Sequence, residues 1–197
     1  MTAKRLDTVK EYYFSKKLRE VASMIAEGKS VINMGIGSPD LPAHPEVVTA
    51  LKESFSNPKV HQYQSYQGIP ELRIAIAKFY LKHYQVAANP NSEILPLLGS
   101  KEGIMHISMA FLNPGDKVLI PNPGYPTYLS VTRLLQATPV FYDLSPNNNW
   151  QPDLEALNQM DLNGVKLMWV NYPNTVSYTH LRAHETGRNL VCRLLLE

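Results

Sequence analysis

Leu97-Leu98-Gly99-Ser100-Lys101-Glu102-Gly103-Ile104 is the stretch on which the reading of the fold turns. An apolar run breaks into a glycine, a hydroxyl residue and a lysine, then resumes with helical spacing, which predicts a strand, a turn and the start of a helix. At such a junction backbone N–H groups, the positive helix end, a hydroxyl and an ammonium surround one point where a phosphate can sit. Plain N-capping uses the same residue types, so both readings stand on this stretch alone. The spacing is not that of a nucleoside-triphosphate loop, because no glycine stands five residues before Gly-Lys-Ser/Thr. Gly35-Ile36-Gly37-Ser38-Pro39-Asp40 does not complete a dinucleotide fingerprint either, since its sixth position is aspartate.

Outward from this stretch the chain alternates apolar runs with helical segments. Strands are expected at Ile94 to Leu98, Lys117 to Pro121, Pro139 to Asp143 and Val165 to Val170, with helices near 101 to 112, 126 to 136 and 152 to 159. Strands spaced by helices imply an α/β fold with a mainly parallel sheet covered on both faces. Ligands of such sheets collect beyond the carboxyl ends of the strands. Three polar turns fall there: Gly99 to Lys101, Asn122-Pro123-Gly124-Tyr125-Pro126, and Asn171-Tyr172-Pro173-Asn174. Before this region, residues 8 to 27 read as an amphipathic helix ended by Gly28, and Pro45 opens a second helix through Phe55. Pro70 to Val86 carries an apolar stripe of Leu72, Ala75, Ile76 and Phe79, with Glu71, Lys78, Lys82 and Gln85 opposite.

With 197 residues, 44% of them hydrophobic and 18% charged, the chain has the composition of a globular domain large enough to bury a core. A net charge of +2 without a basic arm gives nucleic acid and membrane surfaces no support as partners. Cys192 is the only cysteine, no apolar leader opens the chain and no 18-residue apolar span occurs, so the cytoplasm is the expected location.

Taken in order, five motifs resemble the class I/II aminotransferases, pyridoxal 5'-phosphate enzymes of fold type I. They are Gly35 to Asp40, Tyr63-Gln64-Ser65-Tyr66-Gln67-Gly68 with Leu72-Arg73, Gly99-Ser100-Lys101, Pro123-Gly124-Tyr125-Pro126 and Asn171-Tyr172-Pro173-Asn174. The run from Tyr63 to Arg73 is most similar to the branch containing LL-diaminopimelate and related aminotransferases. The resemblance implies that residues 1–45 belong to the small domain and 46–175 to a partial large, cofactor-binding domain. Gly99 and Ser100 would hold the cofactor phosphate, with Lys101 beside it, and Tyr125 would stack on the pyridine ring. Tyr63 would reach the phosphate of the other subunit of a homodimer, and Gly37 would offer its backbone to the substrate carboxylate. Asn174 matches the first asparagine of the family's Pro-Asn-Asn-Pro-Thr-Gly turn, while Thr175 stands where the second usually bonds the cofactor's phenolic oxygen. Gly68 and Arg73 are expected in turn and packing roles. The implied reaction exchanges an amino group between an amino acid and a 2-oxo acid. A carbon–sulfur lyase shares every motif present, and a noncatalytic phosphate-ligand module built on Ser100, Lys101 and Tyr125 is the alternative from another class.

The resemblance ends near Asn174. Val176-Ser177-Tyr178-Thr179-His180-Leu181-Arg182-Ala183-His184-Glu185-Thr186 resembles a translated sequencing-adapter read-through, so 176–197 are expected to be a non-native tail. His180 and His184 could reach one zinc ion from a helix, but no Glu follows the first His and the His-Glu-x-x-His pattern fails. The family's Schiff-base lysine, its aspartate for the pyridine nitrogen and its carboxylate-binding arginine lie further along a chain roughly twice this length. No catalytic residue is therefore assigned here, and the chain by itself is expected to be inactive.

Overall fold

Val118, Leu119 and Ile120 are all buried, on alternating sides of one strand, and they organise the part of the molecule that carries the candidate site. The computed structural model describes residues 3–9, 11–35 and 40–172. They form two compact units, Lys10–Pro96 and Met1–Val9 with Leu97–Glu197. The first holds helices α1 (Tyr13–Ala26), α2 (Pro45–Ser54) and α3 (Pro70–Tyr84). The second holds α4 (Ser100–Phe111), β1 (Lys117–Asn122), α5 (Pro126–Leu134), β2 (Thr138–Asp143), α6 (Leu154–Gln159) and β3 (Val165–Met168), after a 3-10 turn at Lys4–Thr8.

The sheet runs β2-β1-β3, and both neighbours lie parallel to β1. Because side chains alternate along a strand, Val118 and Ile120 face one way and Leu119 the other. Val118 and Ile120 pack with Ile104 and Leu112 of the α4 segment and with Tyr128, Val131 and Ala137 of the α5 segment. Leu119 packs on the opposite face with Tyr142, Leu144 and Leu157. The expected α/β architecture is thus present: a parallel sheet with helices on both faces. Each fully buried aliphatic side chain contributes about 1.5–3 kcal/mol, so the central strand anchors this unit. Among the described residues the buried apolar side chains all fall between Ile104 and Leu157.

The expected strand at Ile94 to Leu98 does not form: these residues connect to α4 without regular structure. Pro96 lacks a donor in the middle of the run, and the Leu98 N–H is taken by the Glu102 carboxylate at 2.6 Å rather than by a neighbouring strand. β3 is also shorter than the apolar run, although Trp169 still donates to the Leu119 carbonyl at 2.9 Å. The first helix starts at Tyr13 instead of near residue 8, because Val9 and Tyr12 are extended.

In the Lys10–Pro96 unit the buried residue of α3 is Arg73, whereas Leu72 and Ala75 are exposed. The guanidinium donates to the carbonyls of Pro90 at 2.8 Å, Gln67 at 3.2 Å and Gly68 at 2.6 Å. Three backbone acceptors explain why a charged group takes the inward position, with its alkyl stem as the packing surface. Gly68 adopts a φ of +76° beside Pro96, which favours glycine. Gly68 and Arg73 therefore have the turn and packing roles expected of them.

Candidate functional site

The carboxyl end of β1 leads into a turn that only a glycine can make. A Cβ on Gly124 would stand 2.2 Å from the Pro121 carbonyl oxygen, so the backbone closes on itself and delivers Tyr125 directly to the start of α5. Tyr125 is extended (φ −66°, ψ 123°), and Pro126 follows at the first helical position, where its missing N–H costs nothing. The turn is braced from the next strand: the Asn122 side-chain amide donates to the Asp143 carboxylate at 2.7 Å, joining the last residues of β1 and β2.

The start of α4 supplies the second part. Gly99 precedes the helix, contributes no side-chain cap, and an added Cβ there would meet nothing within 4 Å. Ser100, Lys101 and Glu102 occupy the first turn, whose N–H groups have no carbonyl of the helix to bond. Glu102 bonds the Leu98 N–H, outside the helix, so its carboxylate does not cap the amides of Ser100 or Lys101. Ser100 is exposed, with its hydroxyl at this positive helix end.

These two parts meet. The Lys101 ammonium stands 5.9 Å from the centroid of the Tyr125 ring, within the range of a cation–π contact. Gly99, Ser100, Lys101 and Tyr125 are thereby gathered at one rim of the sheet. Tyr63 lies in the Lys10–Pro96 unit, fully exposed after the 3-10 turn Pro58–His61. Gly37 and Asn174 lie outside the described residues, as does the tail from 176 to 197 with its histidines.

Beneath Tyr125 lies an aromatic column that the sequence reading did not single out. Tyr128 meets Tyr125 edge-on at 5.8 Å and 82°, and Trp169, just past β3, stacks on Tyr128 at 5.0 Å and 9°. Tyr125 and Tyr128 are three apart, a spacing that brings helical side chains together. Trp169 carries no such local signal. Burial, with a smaller contribution from Tyr125, raises the pKa of the Tyr128 hydroxyl above its usual value and keeps it neutral.

The model of the family described as aminotransferase class I and II matches residues 29–175. The chain belongs to the class I and II aminotransferases. An LL-diaminopimelate aminotransferase of Dehalococcoides mccartyi is 41% identical over 172 residues, which are 87% of this chain and 44% of that protein. Its counterpart from Aquifex aeolicus is 40% identical over 170 residues, 86% of this chain and again 44% of the relative. Among solved structures, apo-BacF from Bacillus subtilis superimposes with a TM-score of 0.82 at 39% identity, covering 89% of this chain and 45% of BacF. The aspartate aminotransferase of Rhizobium meliloti gives 0.81 at 25% identity, over 89% and 43%. This aminotransferase chain thus spans under half the length of the curated relatives it matches.

Pyridoxal 5'-phosphate is the cofactor that membership of this family implies. The donor set fits it. Helix-start N–H groups, a hydroxyl and an ammonium suit a phosphate dianion, and a half-buried tyrosine face beside them suits a flat ring. Among the described residues no helix is long and apolar enough to cross a membrane, and no cluster of three or more His, Cys, Asp or Glu side chains could hold a metal ion.

Proposed function

We propose that the complete protein carrying this chain transfers an amino group between an amino acid and a 2-oxo acid, with the cofactor held at the rim formed by α4 and the β1–α5 turn. The observation that supports this reading is the placement of Lys101 over the Tyr125 ring beside the first turn of α4. When bound, pyridoxal phosphate supplies an electron sink for negative charge developing at a substrate carbon.

The chain's own residues bind and orient. The Ser100 hydroxyl and the amides at the helix start would donate charge-assisted hydrogen bonds to the phosphate oxygens, reinforced by the helix dipole. Lys101 adds a compensating charge next to them. Gly99 keeps side-chain atoms away from those amides, and Tyr125 lies against the ring and stops it from rotating. By motif match, Gly37 is assigned to the substrate carboxylate, Asn174 to the cofactor, and Tyr63 to the phosphate of a second subunit. The same proposal places 1–45 in a small domain and 46–175 in the cofactor domain of a cytoplasmic homodimer.

LL-diaminopimelate is the donor to assay first, because the relatives at about 40% identity are named for it. The protein from the full reading frame is titrated with pyridoxal phosphate and, separately, with pyridoxal. Ser100→Ala is expected to weaken the phosphorylated form roughly tenfold, the loss of about one charge-assisted hydrogen bond, and to leave pyridoxal unaffected. Amino transfer from a panel of donors must depend on an added 2-oxo acid. Release of an oxo acid without any acceptor identifies a lyase instead, and equal loss of both ligands on Ser100→Ala overturns the phosphate assignment.

A further inference from the structure

Trp169 is held in an unusually complete way for a residue outside a regular strand. Its N–H donates to the Leu119 carbonyl of β1 at 2.9 Å, and its own carbonyl accepts from the Tyr142 hydroxyl at 2.6 Å. Tyr142 belongs to the core cluster on the α6 side of the sheet, while the Trp169 ring packs with the cluster on the α4 and α5 side. Both faces of the sheet therefore fix this one residue.

Its ring is placed by stacking and not by its polar atom. A buried indole N–H normally finds an acceptor, yet Trp169 Nε1 is buried and meets none among the described residues. The plane instead lies within 9° of the Tyr128 ring, and Tyr128 turns its edge to Tyr125. An aliphatic residue could fill the same volume without leaving a buried donor unpaired. What an indole adds is a wide, rigid face.

We propose that Trp169 is a positioning residue for Tyr125: clamped by Leu119 and Tyr142, it holds Tyr128 in place, and Tyr128 sets the tilt of the ring against which the cofactor lies. This inference rests on the reading of Tyr125 as the residue that covers the cofactor ring. Two sheet faces, through one tryptophan, thus determine the attitude of a side chain at the site's rim.

The test is a double-mutant cycle in the protein from the full reading frame, titrated with pyridoxal phosphate well below its melting temperature. Binding is followed by absorbance, and the tilt of the bound ring by its visible circular dichroism at saturation. Trp169→Leu is expected to weaken binding roughly three- to tenfold and to diminish the dichroism. Trp169→Phe, which keeps a flat face, restores most of both. Tyr142→Phe, which removes one hydroxyl and keeps the packing, gives a smaller change in the same direction. In a Tyr125→Leu background, Trp169→Leu has no further effect on either readout. The inference is overturned if Trp169→Leu lowers only the melting temperature, or if its effect adds in full to that of Tyr125→Leu. Should Tyr125→Leu alone leave binding and dichroism unchanged, the ring-covering reading itself fails and takes the inference with it.

Discussion

Asn122 and Asp143, aligned at the carboxyl ends of neighbouring parallel strands, share a 2.7 Å hydrogen bond immediately before the turn that carries Tyr125. Both side chains are exposed, so the bond adds little to global stability, about 0.5–1.5 kcal/mol at most. Its position gives it a local consequence. Asp143→Ala is expected to leave the denaturation midpoint almost unchanged while loosening the turn and weakening pyridoxal phosphate severalfold. Equal affinity in variant and parent protein, measured by titration, would remove the brace from the account of the site.

Gly124 is the strictest steric position in the turn. A Cβ 2.2 Å from the Pro121 oxygen cannot be accommodated by rotating a side chain, because the obstacle is backbone. Gly124→Ala should therefore destabilise the protein by about 1–3 kcal/mol, the range for overpacked sites. Urea unfolding supplies the measurement. The same substitution at Gly99, where an added Cβ meets open space, should cost well under about 1 kcal/mol in that experiment.

Arg73 joins two loops of the Lys10–Pro96 unit through three carbonyls. Arg73→Met keeps the apolar stem but leaves those acceptors without their donor, at an expected cost of about 2–4 kcal/mol. Arg73→Lys should recover only part of the loss, since one ammonium cannot reproduce the fork of the guanidinium. Thermal denaturation of the three proteins ranks them, and a lysine variant as stable as the parent would contradict this geometry.

Tyr142 gives the stability a dependence on alkaline pH. Burial, assisted by the nearby Tyr172 and Tyr128 hydroxyls, pushes its pKa up to about 12, against about 10 for an ordinary tyrosine. Between these values the unfolded chain has lost a proton that the folded chain retains, so stability decreases as pH rises. The contribution is fully present below about pH 10 and is lost on passing through about pH 12, amounting to about 3 kcal/mol. Burial raises Tyr128 and Tyr172 in the same direction. Unfolding free energies from pH 8 to 12 should fall, and Tyr142→Phe should flatten part of that slope. A slope identical in the two proteins would count against the buried hydroxyl.

The helix start and the turn that border the candidate site were legible before any coordinate. The run from Gly99 to Lys101 marks a helix start because glycine, a small hydroxyl residue and the return of apolar spacing all act over a few residues. Pro123-Gly124-Tyr125-Pro126 marks a turn for the same local reason. The strand expected at Ile94 to Leu98 shows where this reasoning fails. Its apolar residues satisfy the pattern, but a strand exists only when neighbours take its N–H and C=O groups, and here Glu102 takes one of them.

Arg73 illustrates the same boundary from the other side. The motif implied a packing role for Arg73, but not which groups would pair its charge: the carbonyls of Gln67 and Gly68 just before the helix and of Pro90 after it.

By itself, the sequence determined the alternation of helices and strands, the parallel sheet that this alternation demands, and the chemical character of the two turns at its rim, because each depends on periodicity and backbone preference over short distances. Only the tertiary structure decided that Lys101 covers Tyr125, that Trp169 supports Tyr128, and that Asn122 is tied to Asp143. Those contacts join residues far apart along the chain. They come into being only when strand order and register bring separate carboxyl ends to one edge, and no local preference encodes that.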